Sequence, residues 1–86
     1  MRVTVRLFAR LKDITGAAEL TRELPEGATA RVLWEMLTDE FAELSIYRNI
    51  VSTAINTEYS KMSQGLADGD EVAFLPPVSG GNRVVL

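Results

Sequence analysis

The sequence contains neither cysteine nor histidine among its 86 residues. Without cysteine there is no disulfide, no thiolate metal site and no sulfur nucleophile on a side chain. Without histidine the chain lacks the commonest transition-metal ligand and the usual general base near neutral pH. These absences exclude serine-hydrolase and zinc chemistry. We expect no bound metal or cofactor, and we expect any part in catalysis to be that of a substrate or subunit.

Excess positive charge and long apolar runs are also missing. The net charge is −3, and the nine Lys and Arg residues are scattered rather than clustered. A nucleic-acid partner is therefore not expected, because phosphate binding needs a basic face. No apolar run approaches the ~20 residues that cross a bilayer, and the N-terminus does not resemble a signal peptide. We expect a cytoplasmic protein of one small domain, with no membrane partner.

Alternating apolar and polar residues predict four strands. Val3, Val5 and Leu7 share one side of a strand over residues 2–8, which puts Phe8 on the polar side. Further strands are predicted over residues 18–24, 50–56 and 72–75, with a short strand or loop over residues 58–61. A short turn or helical piece is predicted over residues 9–15. The acidic stretch at residues 68–71 reads as a turn, which its spacing favours over a metal site.

A helix is predicted to begin after Thr29, a suitable N-cap residue. Leu33, Leu37 and Phe41 recur at helical spacing and define a stripe facing the core. Val32 is expected to flank that stripe, and Trp34, which lies off its centre, is expected to be half buried.

The order strand, strand, helix, strand, strand predicts an α+β fold. It indicates a single β-grasp (ubiquitin-like) domain over residues 1–77, with a mixed sheet and one main helix packed across it. In this fold the first and last strands lie parallel at the centre of the sheet. After Pro77 the amphipathic pattern stops, so residues 78–86 are expected to form a flexible tail.

The most informative stretch is "PPVSGG" at residues 76–81. Pro76 and Pro77 favour an extended exit from the last strand. Gly80 and Gly81 lack Cβ, so they can pass through a channel too narrow for other residues. From Pro76 to Gly81 an extended chain spans on the order of 20 Å, enough to enter a partner's active site. A flexible linker is the alternative reading.

Two segments resemble a known family. "VRLFARLKDITG" at residues 5–16 and "LADGDEVAFLPPVSGG" at residues 66–81 resemble the small subunit of molybdopterin synthase (MoaD). That family belongs with the ubiquitin-like sulfur carriers, which include the thiamine-pathway carrier ThiS. The resemblance covers residues 1–81, and the second segment is its more specific part.

The resemblance implies a function for the glycine pair. A MoeB-like adenylating enzyme would use ATP to activate Gly81, which would then carry a thiocarboxylate. The tail would enter a MoaE-like large subunit, which moves the sulfur to a pterin precursor. Gly80 would be the threading residue, and Pro76, Pro77 and Val78 would position the tail.

Apolar residues on the open sheet face predict a docking surface. Phe8 and Leu75 have the same parity on strands that a β-grasp places side by side, and Tyr59 is expected to join them. Chance exposure of single residues is the alternative. Arg2 and Arg6 share this face. Two roles for them are equally compatible with the sequence: steering a partner, or simple solvation of the face.

The sequence departs from the family after Gly81, where Asn82-Arg83-Val84-Val85-Leu86 follows. Gly81 then has no free carboxylate, so we expect a protease to remove residues 82–86 before activation. A remnant of a fusion and a β-grasp binding module without carrier chemistry are the alternatives. Carriers for thiamine, cysteine or tRNA thiolation also stay open.

Overall fold

A single mixed sheet forms the centre of the structure, a computed structural model that describes residues 1–77. Its strands lie in the order β2-β1-β5-β3-β4. The strands are β1 (Arg2–Leu7), β2 (Glu19–Glu23), β3 (Ser52–Ile55), β4 (Glu58–Ser60) and β5 (Glu71–Leu75). Two α-helices, α1 (Ala9–Thr15) and α2 (Ala30–Glu40), and a 3₁₀ helix, Ala42–Tyr47, complete the described elements.

The first and last strands pair in parallel, as the sequence predicts. Val5 on β1 lies opposite Val72 on β5, while β2 pairs antiparallel with the other side of β1. Strand β3 pairs antiparallel with both β5 and β4. The mixed sheet with its helix confirms the predicted α+β, β-grasp architecture.

The core fills the space between α2 and one face of the sheet. The strands contribute their inward-facing residues, and α2 contributes Leu33 and Leu37, which are fully buried. Thr29 caps α2 as predicted, since its Oγ1 accepts a hydrogen bond of 3.3 Å from Val32 N. The two backbone donors before Val32, Ala30 N and Arg31 N, bond to carbonyls of the loop before β5, so the start of α2 is fixed to that loop.

Two expectations about the faces of α2 were wrong. Trp34, expected to be half buried, is only 2% exposed, and its ring centroid lies 5.0 Å from that of Phe74. Val32, expected beside the core-facing stripe, is 39% exposed. The buried face of α2 is rotated toward Trp34, whereas Val32 lies about 140° from Leu37 around the helix and faces away from the sheet.

The segment between α2 and β3 also differs from the prediction. The 3₁₀ helix was not predicted, and Ile50, placed in a strand by its sequence, is 52% exposed. The backbone N–H groups of Ile50 and Val51 both donate to the Tyr47 carbonyl, so this stretch forms a turn. β3 therefore begins only at Ser52.

The other strand bounds differ by a residue or two. β1 ends at Leu7 because Phe8 is the N-cap residue of α1, which spans the predicted helical piece. The predicted tail, residues 78–86, lies outside the described residues. Within residues 1–77, neither α-helix has the length and apolar composition that a membrane-spanning helix needs.

Candidate docking surface

The face of the sheet opposite α2 is open, and strand register decides which side chains it carries. Val5 and Leu7 on β1 are buried beneath α2, so the alternate residue Arg6 lies on the open face. Glu19 lies opposite Arg6 on β2, and Ala73 lies opposite it on β5. Because residues two apart share a face, Glu71 and Leu75 lie on this face too.

A shallow hollow of about 290 Å³ lies in this open face. Its lining combines large apolar side chains, two alanines and a few polar groups: Arg6, Phe8, Ala54, Thr57, Tyr59, Glu71, Ala73 and Leu75. Ala54 and Ala73 are register partners on β3 and β5. Their small side chains leave a depression between the larger residues around them, and its size suits one or two apolar side chains.

The three apolar residues predicted to converge do line this hollow together. Tyr59 is 78% exposed and Phe8 is 39% exposed, while Leu75 is half buried. Tyr59 belongs to the edge strand β4, where it pairs with Ala54. The structure confirms that these three side chains converge, and their role in docking stays a prediction.

Phe8 reaches the hollow because the chain turns sharply after β1. Phe8 keeps an extended backbone, with φ −123° and ψ 153°, and the next residue, Ala9, has φ 51°. A left-handed conformation is uncommon for alanine and marks a tight change of direction. The chain thus enters α1 while the Phe8 side chain stays on the open face.

Arg6 is held beside the hollow by carboxylates from both neighbouring strands. Its Nη1 lies 3.3 Å from Glu71 Oε2, and its Nε lies 4.0 Å from Glu19 Oε1. The guanidinium carbon also lies 5.8 Å from the centroid of the Phe8 ring, within the range of a cation–π contact. Arg6 thus forms part of the wall of the hollow.

The turn between β3 and β4 places Thr57 and Tyr59 at the edge of the hollow. Asn56 and Thr57 have φ values of 51° and 72°, as the two central residues of a type I′ hairpin require. The Asn56 side chain donates to Asp70 Oδ1 at 2.9 Å and accepts from Glu71 N at 3.0 Å. The hairpin is thereby tied to the start of β5.

The acidic residues before β5 have structural partners. Asp68 Oδ1 accepts from Arg2 N at 2.7 Å, and Asp70 Oδ2 accepts from Ala67 N at 2.8 Å. Within residues 1–77, no three acidic side chains come together in a metal-binding arrangement. This stretch is a hydrogen-bonded turn, as the sequence reasoning favoured.

A second hollow, of about 490 Å³, is larger than the first. It lies around the β3–β4 turn and the loop before β5, and its lining includes Asn56, Glu58, Gln64 and Asp70. Its lining is mainly polar, and the Asn56 and Asp70 side chains are already bonded within the fold. The smaller apolar hollow is the better candidate for docking, since partner surfaces centre on apolar anchors.

The last described residues lie next to this hollow. β5 ends at Leu75, which lines the hollow, and the half-buried Pro76 and exposed Pro77 follow directly. The described part of the chain therefore ends beside the hollow. Val78, Gly80 and Gly81 lie outside the described residues.

Sequence reasoning missed the two alanines, Thr57 and Glu71 as members of the hollow. The signal for Ala73 was its parity with Leu75 in "VAFL". Ala54 and Thr57 had no comparable signal, because their place depends on where β3 begins and on a two-residue turn.

The fold and the open face define the class of this protein: a ubiquitin-like β-grasp protein with a partly apolar hollow beside the end of its last strand. Comparison with known sequences gives the family. The chain belongs to the ThiS family, whose model matches residues 5–81.

Similar proteins carry names consistent with this family. A molybdopterin synthase sulfur carrier subunit from Arabidopsis thaliana is 38% identical over 79 residues, covering 92% of this chain and 82% of that protein. The crystal structure of SAMP1 from Haloferax volcanii is 26% identical with a TM-score of 0.83, covering 94% of this chain and all of that one.

A second similar structure is a complex of two subunits. It is the complex of subunits 1 and 2 of the molybdopterin-converting factor from Helicobacter pylori. The matching chain has a TM-score of 0.67 and 26% identity, and the match covers 94% of this chain and all of that one.

Proposed function

We propose that this chain is a sulfur carrier subunit of molybdopterin synthase. The observation that carries the proposal is the family match, which ends at Gly81. The name of the Arabidopsis relative, at 38% identity over most of both chains, supports this pathway. The absence of cysteine agrees with it, because the transferred sulfur is carried at a chain end.

The proposed chemistry takes place at the Gly81 carboxylate. A MoeB-like enzyme transfers AMP from ATP to this carboxylate and releases pyrophosphate. Hydrosulfide (HS⁻) then displaces AMP and leaves a thiocarboxylate on Gly81. Transfer of that sulfur to the pterin precursor, with water supplying the oxygen that replaces it, returns the carboxylate. This chain binds neither ATP nor a metal in the scheme, which we place in the cytoplasm.

The proposed partner is a MoaE-like large subunit that docks on the apolar hollow. The Helicobacter pylori complex of subunits 1 and 2 supports a partner of this kind. Phe8, Tyr59 and Leu75 provide the apolar contacts, and Pro76, Pro77 and Val78 direct the glycine pair toward the partner's active site. From Pro76 to Gly81 the extended reach is on the order of 20 Å.

Activation requires that the peptide bond between Gly81 and Asn82 be broken. In the sequence given, the Gly81 carbonyl belongs to an amide and offers no carboxylate for adenylation. We propose that a protease removes residues 82–86 and so controls when the carrier becomes competent. If this bond is never cleaved, the second candidate applies: a β-grasp binding module without carrier chemistry.

The test compares a chain ending at Gly81 with the full chain and with Gly81→Ala in the shorter form. Each is incubated with a MoeB-like enzyme and ATP, and pyrophosphate exchange is measured. We expect exchange with the shorter chain, none with the full chain and much less with Gly81→Ala, which folds normally. Equal exchange by the full chain and the shorter chain would refute activation at Gly81.

A second readout identifies the acceptor pathway. The thiocarboxylated shorter chain is mixed with a MoaE-like subunit and the pterin precursor, and dithiolene formation is measured. Formation of the dithiolene supports the molybdopterin pathway. A chain that is activated but gives no dithiolene would assign the carrier to another pathway, such as thiamine, cysteine or tRNA thiolation.

A further inference from the structure

Arg6 has a position that simple solvation does not explain. On the open face, its Nη1 lies 3.3 Å from Glu71 Oε2 and its Nε lies 4.0 Å from Glu19 Oε1. Its guanidinium carbon lies 5.8 Å from the centroid of the Phe8 ring. The Arg6 side chain is 40% exposed, compared with 71% for Arg2, four residues earlier on the same face.

We propose that Arg6 is a positioning residue of the docking surface. It holds the Phe8 ring as a wall of the hollow, and its charge is engaged by Glu19 and Glu71 within the chain. The inference rests on the proposed function, because it concerns the surface on which the partner docks. It adds a polar residue whose role is to hold Phe8 in place, with its charge engaged within the chain rather than by a carboxylate of the partner.

The position of Phe8 explains why such a residue is useful. Phe8 lies just beyond β1, outside the hydrogen-bonded ladder, and the backbone changes direction at Ala9. Phe8 is 39% exposed, so the core does not enclose it. A ring fixed before the partner arrives loses less conformational freedom on docking than a mobile one. The guanidinium supplies a flat surface for this purpose.

The chemistry of arginine suits the site better than that of lysine. The guanidinium presents several donors in a rigid plane, so it can face two carboxylates on different strands while one flat side lies near the ring. Lysine has a single charged point and cannot reproduce this arrangement. Because both flanking groups are anions of the same chain, the cation is compensated internally. This distinguishes a positioning role from capture of a partner's carboxylate.

The test uses the full chain with four single substitutions. Arg6→Met removes the charge and the planar group, and Arg6→Lys keeps only the charge. Arg2→Met is the matched control, since Arg2 lies on the same strand and face, pairs with Glu23 at 2.6 Å and does not line the hollow. Glu71→Gln weakens the contact that holds Arg6 without replacing Arg6 itself. It is the alternative variant if an Arg6 substitution prevents folding.

The first measurement is the motion of the Phe8 ring in the free chain, followed by NMR relaxation of its aromatic carbons. We expect lower order in Arg6→Met and Arg6→Lys, a smaller decrease in Glu71→Gln and no change in Arg2→Met. An unchanged Phe8 ring in Arg6→Met would overturn the proposal. This measurement needs no partner, so it separates the inference from the proposed function.

The second measurement is affinity for a MoaE-like large subunit by titration calorimetry. For Arg6→Met we expect binding roughly threefold to tenfold weaker, the scale of one partly exposed cation–π contact with its ion pairs. Arg6→Lys should remain weakened, while Arg2→Met should match the unmodified chain. Full rescue by lysine with an ordered Phe8 ring would show direct contact with the partner and overturn the positioning role. Failure of the unmodified chain to bind would count against the proposed function alone.

Discussion

Tyr59 is expected to contribute more to docking than any other residue of the hollow. It is 78% exposed, whereas Phe8 is 39% exposed, so about twice as large a fraction of Tyr59 remains to be covered by a partner. Both have large aromatic side chains, and aromatic residues are frequent binding hot spots. The substitution Tyr59→Ala removes this surface with little effect on the core.

The magnitude follows from the exposed area. An aromatic side chain offers about 200 Å² for burial, so about 150 Å² of Tyr59 and about 80 Å² of Phe8 are still available. At about 25 cal/mol per Å², full coverage corresponds to upper limits of about 4 and 2 kcal/mol. Incomplete coverage reduces both limits. We therefore expect Tyr59→Ala to lose about 2 kcal/mol of binding free energy and Phe8→Ala to lose about 1 kcal/mol, which raises Kd roughly thirtyfold and fivefold.

The assay is titration calorimetry of each variant against a MoaE-like large subunit. Ile46→Ala is the matched control, since Ile46 is 73% exposed but lies in the 3₁₀ helix, outside the hollow. It should bind like the unmodified chain. Because Tyr59 lies on an edge strand, its replacement should lower the unfolding free energy by no more than about 1 kcal/mol.

Two results would refute this reasoning. Unchanged affinity in Tyr59→Ala would mean that the hollow does not meet the partner. An equal loss in Ile46→Ala would mean that any exposed apolar side chain contributes, so that the hollow has no special role.

Three further predictions concern stability, each measured by urea denaturation. Thr57→Gly should raise the unfolding free energy by about 1 kcal/mol, because Thr57 is β-branched and has φ 72°; a decrease would contradict this. Asn56→Ala should lower it by about 2 kcal/mol, since two hydrogen bonds to the start of β5 are lost; no loss would mean that the hairpin does not need this link. Arg22→Gln should lower the unfolding free energy by about 1 kcal/mol, because it breaks the ion pair with Glu40 that joins β2 to α2. Arg2→Gln disrupts a more exposed ion pair and should lower it by less. Equal losses in the two variants would contradict this prediction.

The sheet could be predicted from the sequence because alternation assigns residues to its two faces. Val3, Val5 and Leu7 alternate with polar residues, and this places Phe8 on the open side. Val72 and Phe74 show the same parity in the last strand, where both are fully buried. Strand faces depend only on local periodicity, so these assignments needed no knowledge of the tertiary structure.

The rotation of α2 could not be predicted in the same way. A helical stripe gives an approximate direction, and residues at its edges are decided by what packs against them. Trp34 is buried because Phe74 lies against its ring, a contact between elements far apart in the sequence. Val32, about 140° from Leu37 around the helix, is exposed.

The hollow could be predicted only in part. The parity of Phe8 and Leu75 indicated a shared apolar surface, but its depth depends on Ala54 and Ala73 meeting across two strands. That meeting depends on the register of β3 against β5, which the sequence pattern does not define when the start of β3 is uncertain.

The central claim is that Gly81 becomes a chain end that carries sulfur. The most direct test is the intact mass of the protein purified from its native cells while they make the molybdenum cofactor. The account predicts a species that ends at Gly81, part of it heavier by the difference between one sulfur and one oxygen atom. A population in which Asn82 is still joined to Gly81 in every molecule would contradict the account and favour a binding module.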